Sequence, residues 1–442
     1  GIRWSQGRDR EALRLYRDSL ASRRRLGDQA GVAATLNRMA QIREFQGRFD
    51  EALRFSREAL ALEDRLGDDQ GARYTLNRIA DILYRQGRSE EALKLYSDSL
   101  NRSRRLGDEK SEAADLNKIA RIHEAQGRLD EAIPLRWEAL DIHIGIGNAE
   151  GIANTNLGLG RAYQKRGWWN EAMESYQEAL PISRRLSKEE NVTAILMGMA
   201  GIHEKWGQLS KALGLYRKTV TLQRRLGNEP GTAEGLRRIV EILETQNRHK
   251  EAMNFHREAL AIHRRLRDEE GIARSLLGIA IGYQSGGGHE DAMGLYPALL
   301  TTFRRFGDQA RTARSLMGLA LAYEAQGRHK EAIRRYRESL TLMRRVGNRK
   351  DAAAILNNLA FIHEAEGRPA KAMRFWCEGL FVSRKRKDMK GSENFCRMIR
   401  WVRKTRPDLS CAGDEAEGSE DSAVPSCSKV SPVQAPLVLQ PF

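Results

Sequence analysis

Cysteine is nearly absent from this chain of 442 residues: Cys377, Cys396, Cys411 and Cys427 are the only four, and all lie in the last 66 positions. Their spacings match neither a zinc pattern nor a disulfide framework. The cysteine-free remainder suits a reducing compartment, so a cytoplasmic location is expected. No run of about 18 or more apolar residues occurs, which excludes a membrane-spanning helix and any expectation of membrane insertion. The first five residues lack the basic start and apolar stretch of a secretory signal. An initiator methionine is missing too, and the pattern begins in mid-repeat. A fragment or processed form is therefore expected, with any upstream domain out of view.

Signatures of chemistry are also lacking. His123, His203 and His363 each precede a glutamate, but no second histidine follows at the spacing of a zinc helix. They take the place held elsewhere by Tyr163, Tyr283 and Tyr323 and read as half-buried ring substitutes. His256 and His263 share a helix two turns apart, too far to share a metal without other ligands. The glycine-rich run Gly286, Gly287, Gly288 lacks the Lys-Ser/Thr of a phosphate loop and reads as a loosened turn and hinge. No Ser-His-Asp or Cys-His set can be assembled. The expectation is no enzyme, no metal and no cofactor.

What the chain does have is charge and a period. It is 40% hydrophobic and 30% charged, too charged for a membrane protein and too apolar for disorder. Its formal charge is +16; the tail from Pro407 carries −5, which leaves about +21 on the rest. Acidic partners are therefore plausible on electrostatic grounds. An alanine recurs every 40 residues, from Ala12 through Ala52, Ala92 and Ala132 to Ala332 and Ala372. A glycine keeps the same beat from Gly7 to Gly367, broken only by Asn247. A second glycine follows 20 residues after the first and fails at Ser187, Arg267 and Lys387.

These marks punctuate helices. Leu36, Met39 and Ala40 fall at i, i+3, i+4, and Ala52, Leu53, Phe55, Ala59, Leu60 and Leu62 form a second stripe. Gly47 and Gly67 stop the two helices as C-terminal caps. The residue after the second glycine is an Asp or Asn throughout, except Lys188, and each is an N-cap worth about 1 kcal/mol. Each unit is thus helix, turn, helix, turn. The alanine marks a close helix crossing, so a change such as Ala212→Trp should disrupt one joint. One hairpin buries too little to stand alone, so neighbours must stack.

The run from Leu157 to Tyr163, followed by Gly167, Ala172, Tyr176 and Ala179, resembles the tetratricopeptide repeat. The resemblance covers roughly residues 1–390. The usual unit has 34 residues and ends in proline; here it has 40, with Arg24, Arg104 or Arg184 in the proline's place. That variant is similar to the long repeats of kinesin light chains and Pins-type adaptors, and long-repeat arrays also occur in bacterial sensors. The resemblance implies an all-α fold, a right-handed superhelical solenoid of tandem hairpins. It also implies capture of partner peptides or helices along a concave groove lined by the first helix of each pair.

Helix phase puts Asn37, Arg38, Gln41, Asn77, Arg78, Asp81, Tyr84, Asn117, Lys118 and Arg121 on that groove, with Asn357, Asn358 and Phe361 at the far end. The asparagines form a ladder whose amides can donate and accept, so they can bridge a peptide backbone; the resemblance implies that role, and bonding to neighbouring helices is the alternative. The ladder breaks at Leu157, Met197, Leu277 and Met317, with Arg237 at the sixth unit. These residues either suit an amphipathic partner helix or pack on neighbouring pairs.

Arginine pairs such as Arg24 with Arg25 and Arg104 with Arg105 close the second helices. Helix-dipole compensation of about 0.3–1 kcal/mol each accounts for them. No aromatic residues alternate with them as a base-stacking platform needs, so nucleic acid is disfavoured as a partner. Arg384 to Lys387 could serve as a nuclear import signal, though such short runs are common.

The expected layout is a partial repeat at 1–28, nine units over 29–390, a capping helix at 391–406 starting near Asn394, and a disordered tail at 407–442. Three functions remain in play: an adaptor that holds other proteins, acidic segments included; a regulatory sensor array of a larger signalling or ATPase protein; and an RNA-binding solenoid.

Overall fold

The computed structural model describes residues 6–409, and among them every regular element is an α-helix. The chain divides into two compact units, Gly1–Leu226 and Gly227–Phe442. The first holds α1 (Gln6–Arg25) and the pairs α2 (Gln29–Phe45) with α3 (Phe49–Leu66), α4 (Asp69–Arg85) with α5 (Ser89–Leu106), α6 (Glu109–Ala125) with α7 (Leu129–Gly145), α8 (Ala149–Arg166) with α9 (Trp169–Arg185), and α10 (Glu189–Lys205) with α11 (Leu209–Arg225). The second holds α12 (Glu229–Thr245) with α13 (His249–Leu266), α14 (Glu269–Ser285) with α15 (His289–Arg305), α16 (Gln309–Ala325) with α17 (His329–Arg345), α18 (Arg349–Ala365) with α19 (Pro369–Lys385), and a last helix α20 (Met389–Thr405). Even-numbered helices up to α18 open a pair and odd-numbered ones close it. Within each unit every helix packs on its chain neighbours, and α6 on α8, α8 on α10 and α14 on α16 also touch.

The turn between pairs is compact because one residue serves two helices. At Gly67 the backbone turns left-handed, φ +67°, which ends α3. The Asp68 N–H then donates to the Glu63 carbonyl at 2.9 Å, and the Asp68 carboxylate accepts from the Gly71 N–H at 2.9 Å to open α4. Asp28, Asp108, Asn148, Asn228, Asp268, Asp308, Asn348 and Asp388 cap in the same way, and Lys188 does not. Asp388 explains why α20 begins at Met389 rather than near Asn394. Gly7 differs from the other glycines: it lies inside α1, which has no described helix before it to terminate.

The same left-handed bend is imposed where glycine is missing. Ser187, Asn247, Arg267 and Lys387 all carry φ of 52–57°. A side chain there costs about 1 kcal/mol that glycine would not. Arg267→Gly is therefore expected to raise stability by about 1 kcal/mol, read as a higher urea midpoint at unchanged slope. An unchanged or lower midpoint would refute the strain at this turn. The triple-glycine turn closes like its equivalents, with the Gly288 N–H on the Tyr283 carbonyl at 2.8 Å, so nothing in its bonding marks a hinge.

The recurrent alanine is buried at every described repeat but the first: Ala52, Ala92, Ala132, Ala172, Ala212, Ala292, Ala332 and Ala372 are wholly inaccessible. Four residues further along the second helix sits a ring. Tyr96, Tyr176, Tyr216, Tyr296, Tyr336 and Trp376 are the largest fully buried side chains. Most of these hydroxyls donate to the first helix of their own pair: Tyr176 to Gln164 at 2.9 Å, Tyr216 to Glu204 at 3.0 Å, Tyr296 to Gln284 at 2.8 Å, and Tyr336 to Glu324 at 2.6 Å. In each case the separation is 12 residues, so the phenol staples its own hairpin. Burial raises the Tyr176 and Tyr296 hydroxyls well above the usual phenol range, which keeps them donors.

Both cysteines in the described residues, Cys377 on α19 and Cys396 on α20, are disulfide-bonded. This corrects the expectation from spacing, which found no disulfide framework. Cys411, Cys427 and nearly all of the acidic tail lie outside the described residues.

Candidate functional site

The first helices decide the site, since their phase sets what faces outward. Along α2, Ala34, Arg38 and Gln41 are exposed, whereas Asn37 is buried, 8% exposed. On α4, Tyr74 is exposed, and Asp81 and Tyr84 are half-buried. On α6, Lys118 is half-buried and Arg121 exposed. These side chains contact one another. Lys118 Nζ donates to Asn77 at 2.7 Å and pairs with Asp81 at 3.1 Å. Arg121 lies 4.8 Å over the Tyr84 ring, and Tyr96 donates to Asp81 from below. A cleft of about 530 Å³ opens beside Arg38, Asn37, Tyr74 and Arg78.

The asparagine ladder is engaged elsewhere. Asn37 Nδ2 donates to Glu63 and to Thr75, both at 2.8 Å. Asn77 Nδ2 donates to Asp115 at 2.9 Å, and Asn117 Nδ2 to Thr155 at 2.8 Å. Asn117 Oδ1 accepts from Arg136, and Asn357 Oδ1 from the Trp376 indole at 3.3 Å. The first three rungs thus join each opening helix to the next one, 38 residues on. Arg78 is likewise turned inward: it donates to the Asn37 carbonyl at 3.1 Å and pairs with Glu44 at 3.3 Å. The geometry therefore carries the alternative role, bonding between helices, for these amides and for Arg78. Burial pushes the Glu63 carboxyl up, partly offset by Thr75 and Asn37.

In the second unit, Arg237 is half-buried and clamped by Glu234 at 2.8 Å and by Glu241, which holds its guanidinium protonated. Asn358 donates to the Tyr336 hydroxyl at 3.1 Å, and Phe361 meets Trp376 edge-on at 5.7 Å. Of the apolar interruptions, Leu157 and Leu277 are core residues, and Met317 packs partly buried on the core beside α18. Two of the histidines pack on rings: His363 stacks on Phe375 at 5.5 Å and His203 meets Trp206 edge-on. Among the described residues no His, Cys, Asp and Glu group could hold a metal ion.

Sequence reasoning missed Tyr74, and it missed the acceptors under the ladder, Thr75, Asp115 and Thr155. A signal existed for the acceptors. They recur at one position that is otherwise apolar in phase, and a buried Asp115 needs donors.

Most of the arginine pairs contribute an ion pair between repeats. Arg24 reaches forward to Glu58, Arg104 to Glu138 and Arg344 to Glu378, each 34 residues on. Arg105 reaches back to Asp69, Arg225 to Glu189, Arg265 to Glu229 and Arg305 to Glu269, each 36 residues earlier. The dipole argument was incomplete because it treated each helix alone.

Helical hairpins repeating every 40 residues, with small residues at the crossings and rings stapling each pair, define an interaction-repeat array. The family model of the tetratricopeptide repeat matches residues 1–63, 72–143, 112–185, 191–265, 271–345 and 308–378. The chain belongs to the tetratricopeptide repeat family. No curated protein sequence matches it.

Among solved structures, it is similar to the signal transduction ATPase with numerous domains and a tetratricopeptide repeat sensor from Pyrococcus horikoshii. The identity is 14% and the TM-score 0.55, over 78% of this chain; the match spans 54% of that protein's length. It is also similar to BtubC (BKLC) from P. vanneervenii, at 19% identity and TM-score 0.45 over 50% of this chain and 92% of that one. A third match is to the kinesin light chain nearly identical TPR-like repeats of Podosopora anserina, at 19% identity and TM-score 0.38 over 44% and 95%. Among the described residues no helix is long and apolar enough to cross a membrane.

Proposed function

We propose that this chain is a non-catalytic scaffold or adaptor that binds a segment of a partner protein on the outward face of its first helices. The observation that supports it most is selective exposure. On helices whose other side chains are engaged in packing, Arg38, Gln41, Tyr74, Tyr84 and Arg121 remain open or half-open, and Tyr74 borders a cleft. Aromatic and arginine side chains of this kind supply most of the energy at protein interfaces. Nine pairs over residues 29–390 form the array in this reading, and α20 covers its end. The sensor-array alternative draws on the Pyrococcus horikoshii protein, whose own repeats are described as a sensor. RNA binding is less favoured because acids tie up many of the arginine pairs.

The test is selection of a random peptide library on the immobilised chain. Enriched peptides are expected to bind at least about tenfold more weakly to a Tyr74→Ala/Arg121→Glu variant, a loss of about 1.4 kcal/mol. Both side chains are exposed, so the variant should melt like the wild type. Equal binding by a folded variant would remove this face as the site.

A further inference from the structure

The ion-pair pattern lapses over the last helices, as it also does where Gln29 and Ala149 precede Arg65 and Arg185 by 36 residues. In four earlier pairs, the last arginine of the closing helix meets an acid at the first position of an opening helix: Asp69, Glu189, Glu229 or Glu269. At the two following opening helices that position holds Gln309 and Arg349, and on α20 it holds Met389. Arg345 therefore lacks its acid, and the repeat position that would answer Lys385 holds Arg349 instead of a carboxylate. Among the described residues, none of Arg345, Arg349, Lys350, Lys385, Lys387 and Lys390 has an ion-pair partner. The imbalance is regional. Residues 301–406 hold 26 Lys and Arg against 10 Asp and Glu, whereas residues 1–300 hold 48 against 43.

Apolar side chains stand among these cations. Phe381 is 57% exposed, Met389 55% and Val346 39%. Lys385 Nζ sits 4.5 Å from the Phe381 ring centroid, so the lysine stem and the ring form one patch. All of these residues occupy the turn between α17 and α18, the turn between α19 and α20, and the adjoining helix ends. Both turns join one pair to the next helix, so they lie at the same end of their hairpins.

We propose that this edge docks peripherally on an anionic lipid surface. The uncompensated lysines and arginines would be drawn to acidic headgroups. Phe381, Met389 and Val346 would enter the headgroup boundary, where an apolar side chain beside a cation is favoured. Nucleic acid fits less well: Phe381 is the only aromatic residue in the patch, and no row of rings offers a stacking platform. The reading is independent of partner capture on the first-helix face.

The test is co-sedimentation of the full chain with two vesicle types, phosphatidylcholine alone and phosphatidylcholine with about one-third phosphatidylserine. At least about tenfold stronger partitioning to the anionic vesicles is expected, falling as salt rises. Arg349→Glu restores the acid found at positions 229 and 269 and places it at a helix N-terminus, so it should fold at least as well as the wild type. It is expected to reduce partitioning about tenfold or more at an unchanged or higher melting temperature. Phe381→Ser should weaken binding to vesicles and leave binding to a duplex oligonucleotide unaltered. Equal partitioning to both vesicle types, or wild-type partitioning by folded Arg349→Glu, would overturn the proposal. So would tighter binding to the oligonucleotide than to anionic vesicles.

Discussion

Ala172→Trp is expected to unfold the α8–α9 hairpin, at a cost of more than about 4 kcal/mol. Overpacking a core usually costs about 1–3 kcal/mol when an extra methylene or two must be housed. An indole is far larger than that, and Ala172 has no accessible surface at all. It lies in the same packed cluster as Leu159, Ala162, Tyr176 and Ile195, so each direction of escape is occupied. The damage should be local, because each repeat in such an array contacts only its neighbours. Hydrogen exchange read by mass spectrometry is expected to lose protection over α8 and α9 and to keep it over α2 to α5. Full protection across α8 and α9 would contradict the close crossing assigned to this alanine.

The same cluster offers a graded companion. Tyr176 is pinched between Gly160 of its own hairpin and Gly198 of the next. A Cβ on either glycine would come within 2.5 Å of the ring. The ring is 1% exposed and cannot swing away. The glycines permit the fully buried phenol, and through it the bond to Gln164.

Much of the fold was legible because a fixed period multiplies weak signals. One glycine before one aspartate is an ordinary turn; the same pair recurring on a 40-residue beat defines every junction. Even the exceptions could be read. Arg267 and Ser187 adopt the left-handed bend that their repeat position demands. The candidate site was legible only as a face. Phase placed Arg38, Gln41 and Arg121 outward and they are outward, but it placed Asn37 beside them, where the structure buries it. Helix phase on a single helix cannot foresee that the next opening helix covers one side of the stripe and supplies Thr75 as a partner. The arginine edge failed to resolve for the same reason, since its acids lie 34 and 36 residues away on other hairpins.

Asn77→Leu separates the two roles open to the ladder, and the expected result is a loss of stability of about 2–4 kcal/mol. Asp115 is 1% exposed, and its carboxylate is held by three donors: Asn77 at 2.9 Å, Ser99 at 2.7 Å and Ser103 at 2.9 Å. Both serines serve Oδ2, which leaves Asn77 as the donor on Oδ1. Removing it strands half of a buried carboxylate, and stranding one partner of a buried charged set costs several kcal/mol. The substitution also removes one of the two acceptors of Lys118, leaving Asp81. Had the amide served only to grip a partner's backbone, the variant would melt like the wild type and bind less.

The double variant Asn77→Leu/Asp115→Leu sharpens the distinction. Two apolar residues in place of a buried polar pair leave no stranded carboxylate, and Ser103 retains its bond to the Ser99 carbonyl at 3.1 Å. The double variant should therefore recover at least about 1.5 kcal/mol relative to the sum of the two single changes, read from urea midpoints. Strict additivity would mean that Asn77 and Asp115 do not act as a pair. Recovery would assign the asparagines to holding successive opening helices in register, so that capture of a partner falls to Arg38, Tyr74 and Arg121, which are exposed on the same helices.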